Sequence, residues 1–165
     1  MKKALILLCA LLLGLKSMQA QNFTYYPLSE FHGDTIAFLK RNFYSQRSYF
    51  VGKKIEVLLE WYMREMPLKD CDTYGTSPYT DADNKSYVRG AWLRPMDNTL
   101  LPKDTAKTVY AVDFDIVFTP PYTVSDYLFG KSLPDNVTPY GIASLLKDFV
   151  ISDIRIEAYD RRRKH

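Results

Sequence analysis

Histidine and cysteine are the scarcest reactive residues in this sequence, two of each in 165 residues. One histidine, His165, is the final residue, which leaves His32 as the only imidazole in the body of the chain. There is no H-E-x-x-H and no pair of neighbouring cysteines, so zinc would have to be held by scattered carboxylates. A serine nucleophile with a histidine base would have to use His32, and no G-x-S-x-G elbow is present. Cysteine is as limiting. Cys9 lies inside an N-terminal apolar run, and Cys71 then stands alone, with no partner for an internal disulfide. A lone thiol of this kind is expected to be a partly buried one. Long apolar runs are also missing. The longest, Ala4 to Leu15, falls short of the roughly 20 residues that cross a bilayer.

That short run has another reading. Lys2 and Lys3 precede it and Ser17-Met18-Gln19-Ala20 follows it, the charged, apolar and small-residue order of a secretory signal peptide. The expectation is a leader over 1–20 and an exported chain beginning near Gln21, in the periplasm, at the cell surface or secreted. Cys9 has Leu7 and Leu8 before it and Ala10 to Leu13 after it, the wrong setting for a lipid-acceptor cysteine, which should close the run.

The charge balance changes with the leader. The chain has 22 basic and 19 acidic residues. Lys2, Lys3 and Lys16 lie in the leader, so 22 minus 3 leaves 19 bases against 19 acids. Arg161, Arg162, Arg163 and Lys164 form a basic tail over 161–165, expected to be disordered; without them residues 21–160 carry 15 minus 19, or −4. A nucleic-acid reader needs a basic surface on its folded body, and this body is mildly acidic. The length from 21 to 160 is that of one domain with a core of its own.

Periodicity then divides that body. Residues 21–33 are aromatic and irregular. Asp34 caps an expected helix over 35–44, with Ile36, Leu39 and Phe43 on one face. A second helix is expected over 52–66, where Ile55, Leu58, Leu59, Tyr62 and Met66 recur at helical spacing and Pro67 marks the end. Strands are expected over 68–74, 86–94, 107–119 and 150–159. The third is the clearest: Tyr110, Val112, Phe114, Ile116 and Phe118 alternate with Asp113 and Asp115. Thr138-Pro139 starts a short late helix whose Ile142, Leu145, Leu146 and Phe149 share a face. The expected class is α+β: two N-terminal helices and one short late helix packed on a small antiparallel sheet of about four strands.

Three patterns suggest chemistry and fail on their details. Asp81-Ala-Asp83-Asn84-Lys85 opens like a calcium loop, but Lys85 stands at the fifth position, Ser86 at the sixth and Trp92 at the twelfth, where an oxygen ligand, glycine and glutamate belong. Ser144-x-x-Lys147 matches S-x-x-K, yet the companion S-D-N and K-T-G elements are missing and Lys107-Thr108 is followed by Val109. Asp113 and Asp115 share a strand face, where outward, solvated charges are the normal case. No catalytic residue, cofactor or metal ligand is therefore expected.

What the sequence has in excess is aromatics: 13 Tyr, 9 Phe and 2 Trp. Tyr74, Tyr79 and Tyr140 fall near loops or strand ends, as do the four expected to form a binding surface, Tyr87, Trp92, Tyr122 and Tyr127. Exposed Tyr and Trp anchor protein partners or stack on sugars. The leading expectation is a non-enzymatic protein-interaction domain that binds an envelope or extracellular protein, or its own copies. A glycan-binding module stands second and a carboxylate hydrolase third.

The stretch Tyr49-Phe50-Val51-Gly52-Lys53-Lys54-Ile55-Glu56-Val57-Leu58-Leu59, followed by Met66-Pro67-Leu68-Lys69 and then strands, resembles a phrase recurring in small secreted proteins of Bacteroidetes. The resemblance covers about a quarter of the chain and implies export; those proteins have no assigned activity to carry over. Two helices before a small sheet is also the arrangement of envelope-assembly and β-lactamase-inhibitor domains, an analogy of architecture alone.

Overall fold

A strand that alternates Val112, Phe114, Ile116 and Phe118 along one side must cover that side, and amphipathic helices do so. The computed structural model describes residues 22–76, 85–95 and 110–160. Its four strands are β1 (Asp70–Gly75), β2 (Val88–Arg94), β3 (Tyr110–Phe118) and β4 (Ile151–Asp160). They form one antiparallel sheet in the order β1-β2-β3-β4. The helices are α1 (Thr35–Leu39), α2 (Arg47–Phe50), α3 (Ile55–Tyr62), α4 (Asp126–Ser132) and α5 (Pro139–Leu145). The α+β class is as the sequence implies, with the helices packed on one face of the sheet.

The core lies between that face and the helices. Phe114 of β3 stacks on Tyr62 of α3, with centroids 5.6 Å apart and planes 10° from parallel, and meets Phe43 at 5.2 Å. Phe38, Phe43, Phe50, Leu58 and Tyr62 are wholly buried in the same cluster. Each such side chain contributes roughly 1.5–3 kcal/mol by leaving water. Cys71, on the same side of β1, is buried and unpaired, and burial pushes its thiol up to about 12.

The helices differ from expectation where tertiary contacts compete with the helical ladder. Asp34 caps α1 as expected, accepting from the Ala37 N–H at 2.9 Å. Beyond Leu39 the helix widens into a π turn, Lys40–Tyr44. Within it the Asn42 side-chain amide donates to the Phe38 carbonyl four residues back at 3.2 Å, a competitor for the regular ladder. α3 starts at Ile55 and not at Gly52, because residues 52–53 bond instead to Ile151: Gly52 N–H to its carbonyl at 2.8 Å, its own N–H to Lys53 O at 2.9 Å. Gly52 has φ +81°, a left-handed conformation that suits glycine.

Two short helices lie outside the sequence reading, α2 and α4. α4 is capped by Ser125, whose hydroxyl accepts from the Leu128 N–H. α5 begins as expected, with Thr138 capping Gly141 N–H at 3.1 Å and proline in its first turn. Its expected apolar stripe is corrected at one position. Leu145 is 53% exposed, while Ala143 and Leu146, three apart, face the core. Among the described residues no helix is long and apolar enough to cross a membrane.

The irregular lead-in is bound to the helices rather than trailing from them. Phe23 packs on Trp61 at 4.8 Å, Phe50 at 5.0 Å and Tyr49 at 5.1 Å. Asn42, fully buried, accepts from Tyr26 N–H at 2.8 Å and donates to Tyr26 O at 2.9 Å. Asn42→Ala should therefore destabilise the fold by about 2–3 kcal/mol, since a buried backbone group left unsatisfied costs about 1–3 kcal/mol. Urea unfolding measures the loss, and hydrogen exchange at Tyr26 should accelerate more than at Phe114.

Candidate functional site

The other face of the sheet is where polar and aromatic side chains collect. Apart from the buried Val117, its residues lie outside the hydrophobic core, to which all five helices contribute. The strand register arranges this face in rows. Asp70, Arg94, Asp113 and Glu157 form one; Asp72, Trp92, Asp115 and Arg155 form the next; Tyr74, Gly90, Val117 and Asp153 form the third.

Tyr74 and Trp92 make the centre. Their rings lie 4.7 Å apart, tilted by 32°. Tyr74 leans across Gly90, and a Cβ there would overlap its ring as well as the Ile116 carbonyl. This close approach explains the glycine in mid-strand. The register also shifts beside it, from Tyr74↔Gly90 to Gly75↔Val88, leaving Arg89 as the extra residue of a bulge. Having crossed Gly90, the Tyr74 hydroxyl donates to Asp115 Oδ1 at 2.6 Å.

Asp115 is only 6% exposed. Burial raises its carboxyl above the usual range, and the Tyr74 hydrogen bond and the Arg155 charge pull it back without cancelling the effect. Tyr74 is itself raised, first by burial and then by that hydrogen bond. One row away, Arg94 donates from Nη1 to Asp70 at 2.8 Å and from Nε to Asp113 at 2.5 Å. Burial works against its charge, but the two carboxylates outweigh that and keep the guanidinium firmly protonated. Its Cζ lies 5.2 Å from the Trp92 ring centroid, within cation–π range. The three rows hold six acids, Asp70, Asp72, Asp113, Asp115, Asp153 and Glu157, against Arg94 and Arg155, so 2 minus 6 is a formal −4. Next to β1, Asp126 is raised by burial and by the charge of Asp72, which extends the acidic character.

Asp113 and Asp115 are thus not the solvated pair their alternation suggests. Arg94 of the adjacent β2 faces one, and Tyr74, reaching across β2 from β1, faces the other. Of the four expected surface aromatics, only Trp92 lies here. Tyr87 pairs with Ser125 through an isolated bridge at the start of β2. Tyr122 lines a groove of about 390 Å³ with Phe118, Pro120, Pro121, Val124 and Phe149. Tyr127 is on α4, 64% exposed, with Lys131 Nζ 4.6 Å from its ring. Arg94 is the member that sequence reasoning missed, with the period-2 alternation of β2 as the available signal; Tyr74 and Asp115 stand out in the sequence, one as an aromatic near a strand end and the other as a strand-face carboxylate, but not as partners.

The remaining sequence motifs hold no assembled site. Ser144 and Lys147 are exposed on and just after α5, with no side-chain hydrogen bond between them among the described residues. His32 is exposed in a left-handed conformation, φ 51°, at the end of a turn of 3-10 helix. Asp81 to Asn84, Tyr79 and His165 lie outside the described residues. No family model, curated protein or solved structure matches this chain.

Two outcomes follow for the site. Gly90→Ala should displace the Tyr74 ring, and the Trp92 fluorescence should shift towards that of Tyr74→Ala, whose platform is gone; unchanged emission would mean the contact is not there. Asp115 has a raised carboxyl in the fold, so its protonated form is the better tolerated and its contribution to stability falls as pH rises through the folded value. The stability of Asp115→Asn relative to the native protein should accordingly increase with pH, starting from the ordinary carboxylate range, in denaturation series taken at several pH values.

Proposed function

We propose that this chain is an exported, non-enzymatic protein-binding domain that presents the outer face of its sheet to a partner with a basic surface. The observation that carries the reading is the Tyr74–Trp92 pair, held in place among three rows of residues whose formal charges sum to −4. Trp, Tyr and Arg dominate the energetics of protein interfaces, and here Trp92, Tyr74 and Arg94 adjoin one another. The hydrogen bond to Asp115 and the pairing of Arg94 with two carboxylates order these side chains before any partner arrives, which reduces the entropy lost on binding. Excess negative charge steers a positive partner and raises its association rate. The groups on this face hold each other: Asp115 is bonded to a phenol and Arg94 to two acids, an arrangement that suits recognition better than proton transfer.

Export rests on the leader-like residues 1–20 and on the resemblance to secreted Bacteroidetes proteins; the periplasm, the cell surface and the medium all fit. A glycan is the second reading, favoured by the same aromatic pair, which offers a stacking surface beside carboxylate acceptors.

Trp92→Ala should weaken binding to the protein partner by about 30-fold or more, the loss expected for a hot spot of about 2 kcal/mol or greater. Binding should also weaken as salt is raised, because the charges are complementary. Affinity capture from the native envelope, repeated with Trp92→Ala and at two ionic strengths, measures both. Binding that ignores Trp92 would refute the assignment, and a Trp92-dependent signal on a glycan array with no protein retained would favour the second reading.

A further inference from the structure

Among the described residues β4 ends the sheet, and its outer edge is closed only at its start. Gly52 and Lys53 bond to Ile151, and Lys54 bridges Val150. Among the described residues no strand pairs with the edge from 152 to 160.

The direction of the backbone groups along this edge follows from the register. The Ile116 carbonyl lies against Gly90, on the β2 side of β3. Its opposite residue in β4, Ile154, therefore turns its peptide groups away from β3. Consistent with that, Ile154 N–H is bonded to the Asp153 carboxylate at 2.9 Å and not to β3. By alternation Ile156 and Ala158 also present N–H and C=O outward. Such a row of groups is a template for another strand.

We infer that β4 pairs antiparallel with β4 of a second copy about a twofold axis at Ile156, making a continuous eight-stranded sheet. Ile156 is the midpoint of the free edge 152–160. An axis there sets each Arg155 opposite the other copy's Glu157 and each Ile154 opposite Ala158. Both charged residues are exposed, and Ile156 is half-buried. Neighbouring registers fail. An axis at residue 155 opposes Arg155 to Arg155, and one at 157 opposes Glu157 to Glu157; like charges directly opposite are destabilising. An axis at 154 brings Ile151 opposite Glu157, where residues 52–54 already occupy the edge. An axis at 158 pairs only 156–160. At the start of the free edge an open cleft of about 480 Å³, lined by Ser45, Arg47, Ser48, Val51, Ser152 and Asp153, leaves room for the end of the incoming strand. Charged residues on an edge commonly prevent pairing; here, of the three central registers the backbone leaves free, the one centred on Ile156 matches the two signs. The outer faces of both copies would then join, with Trp92 of each away from the new seam.

Sedimentation velocity over a concentration series tests this with the purified chain. The native protein should shift from monomer to dimer. Arg155→Glu alone and Glu157→Arg alone should each stay monomeric at concentrations where the native protein is dimeric. Mixed in equal amounts, the two variants should form a heterodimer, because the first then carries glutamate at both facing positions and the second carries arginine at both. Trp92→Ala should dimerise like the native protein, which separates this inference from the proposed binding role of the outer face. Near-UV circular dichroism verifies that each variant is folded, and hydrogen exchange should slow at Ile156 and Ala158 on dimerisation. A native protein that remains monomeric at every soluble concentration, single variants that dimerise unchanged, or a mixture that stays monomeric would each overturn the inference.

Discussion

Phe114 is the residue on which the two layers meet. Its ring lies on Tyr62 of α3 and against Phe43, so the central strand and the helical layer share one contact. A strand forced to bury Phe114 must turn its neighbours, Asp113 and Asp115, to the other face, because successive side chains alternate. The placement of a carboxylate in the middle of the outer face is thus a consequence of the core. What remained for the sequence to supply was a set of partners for those carboxylates. Arg94 and Tyr74 are those partners, each from a strand on the same side of β3.

The outer face is unusual in that its polar groups are largely satisfied by one another. An unpaired carboxylate at the burial of Asp115 would be costly. The Tyr74 hydroxyl reduces that cost, and reaching it requires the ring to cross Gly90, where the missing side chain leaves room. The result is an aromatic pair with little freedom to rotate, which is the property a recognition surface needs. The acidic residues around it outnumber the basic ones in the three rows.

The sheet edge obeys a separate constraint. Residues 52–54 are taken out of the helix that their spacing suggests, and they cap the beginning of β4. This one tertiary pairing shortens α3 at its start and also defines where the free edge begins. Contacts remote from the charged residues thus limit how far a second strand could slide toward the start of β4, and the charges themselves decide among the registers left.

Several features were legible in residue order. The apolar alternation of Val112 to Phe118 marked the central strand, Asp34 and Thr138 marked helix starts, and the isolation of Cys71 and His32 limited the chemistry. These are local properties: period, cap and composition act within a few residues of themselves. The late start of α3 was not legible, since it depends on Ile151, distant in the chain; the widening at Lys40–Tyr44 and the exposure of Leu145 were not marked by spacing either. The same holds for the candidate site. Trp92 could be named from its residue type and Tyr87, Tyr122 and Tyr127 with it, yet only the pairing of strands separates Trp92 from the other three. Residue order determined which groups the chain possesses and which face of each strand they share; tertiary structure decided which of them touch, because strand register brings together residues as far apart as Tyr74 and Asp115.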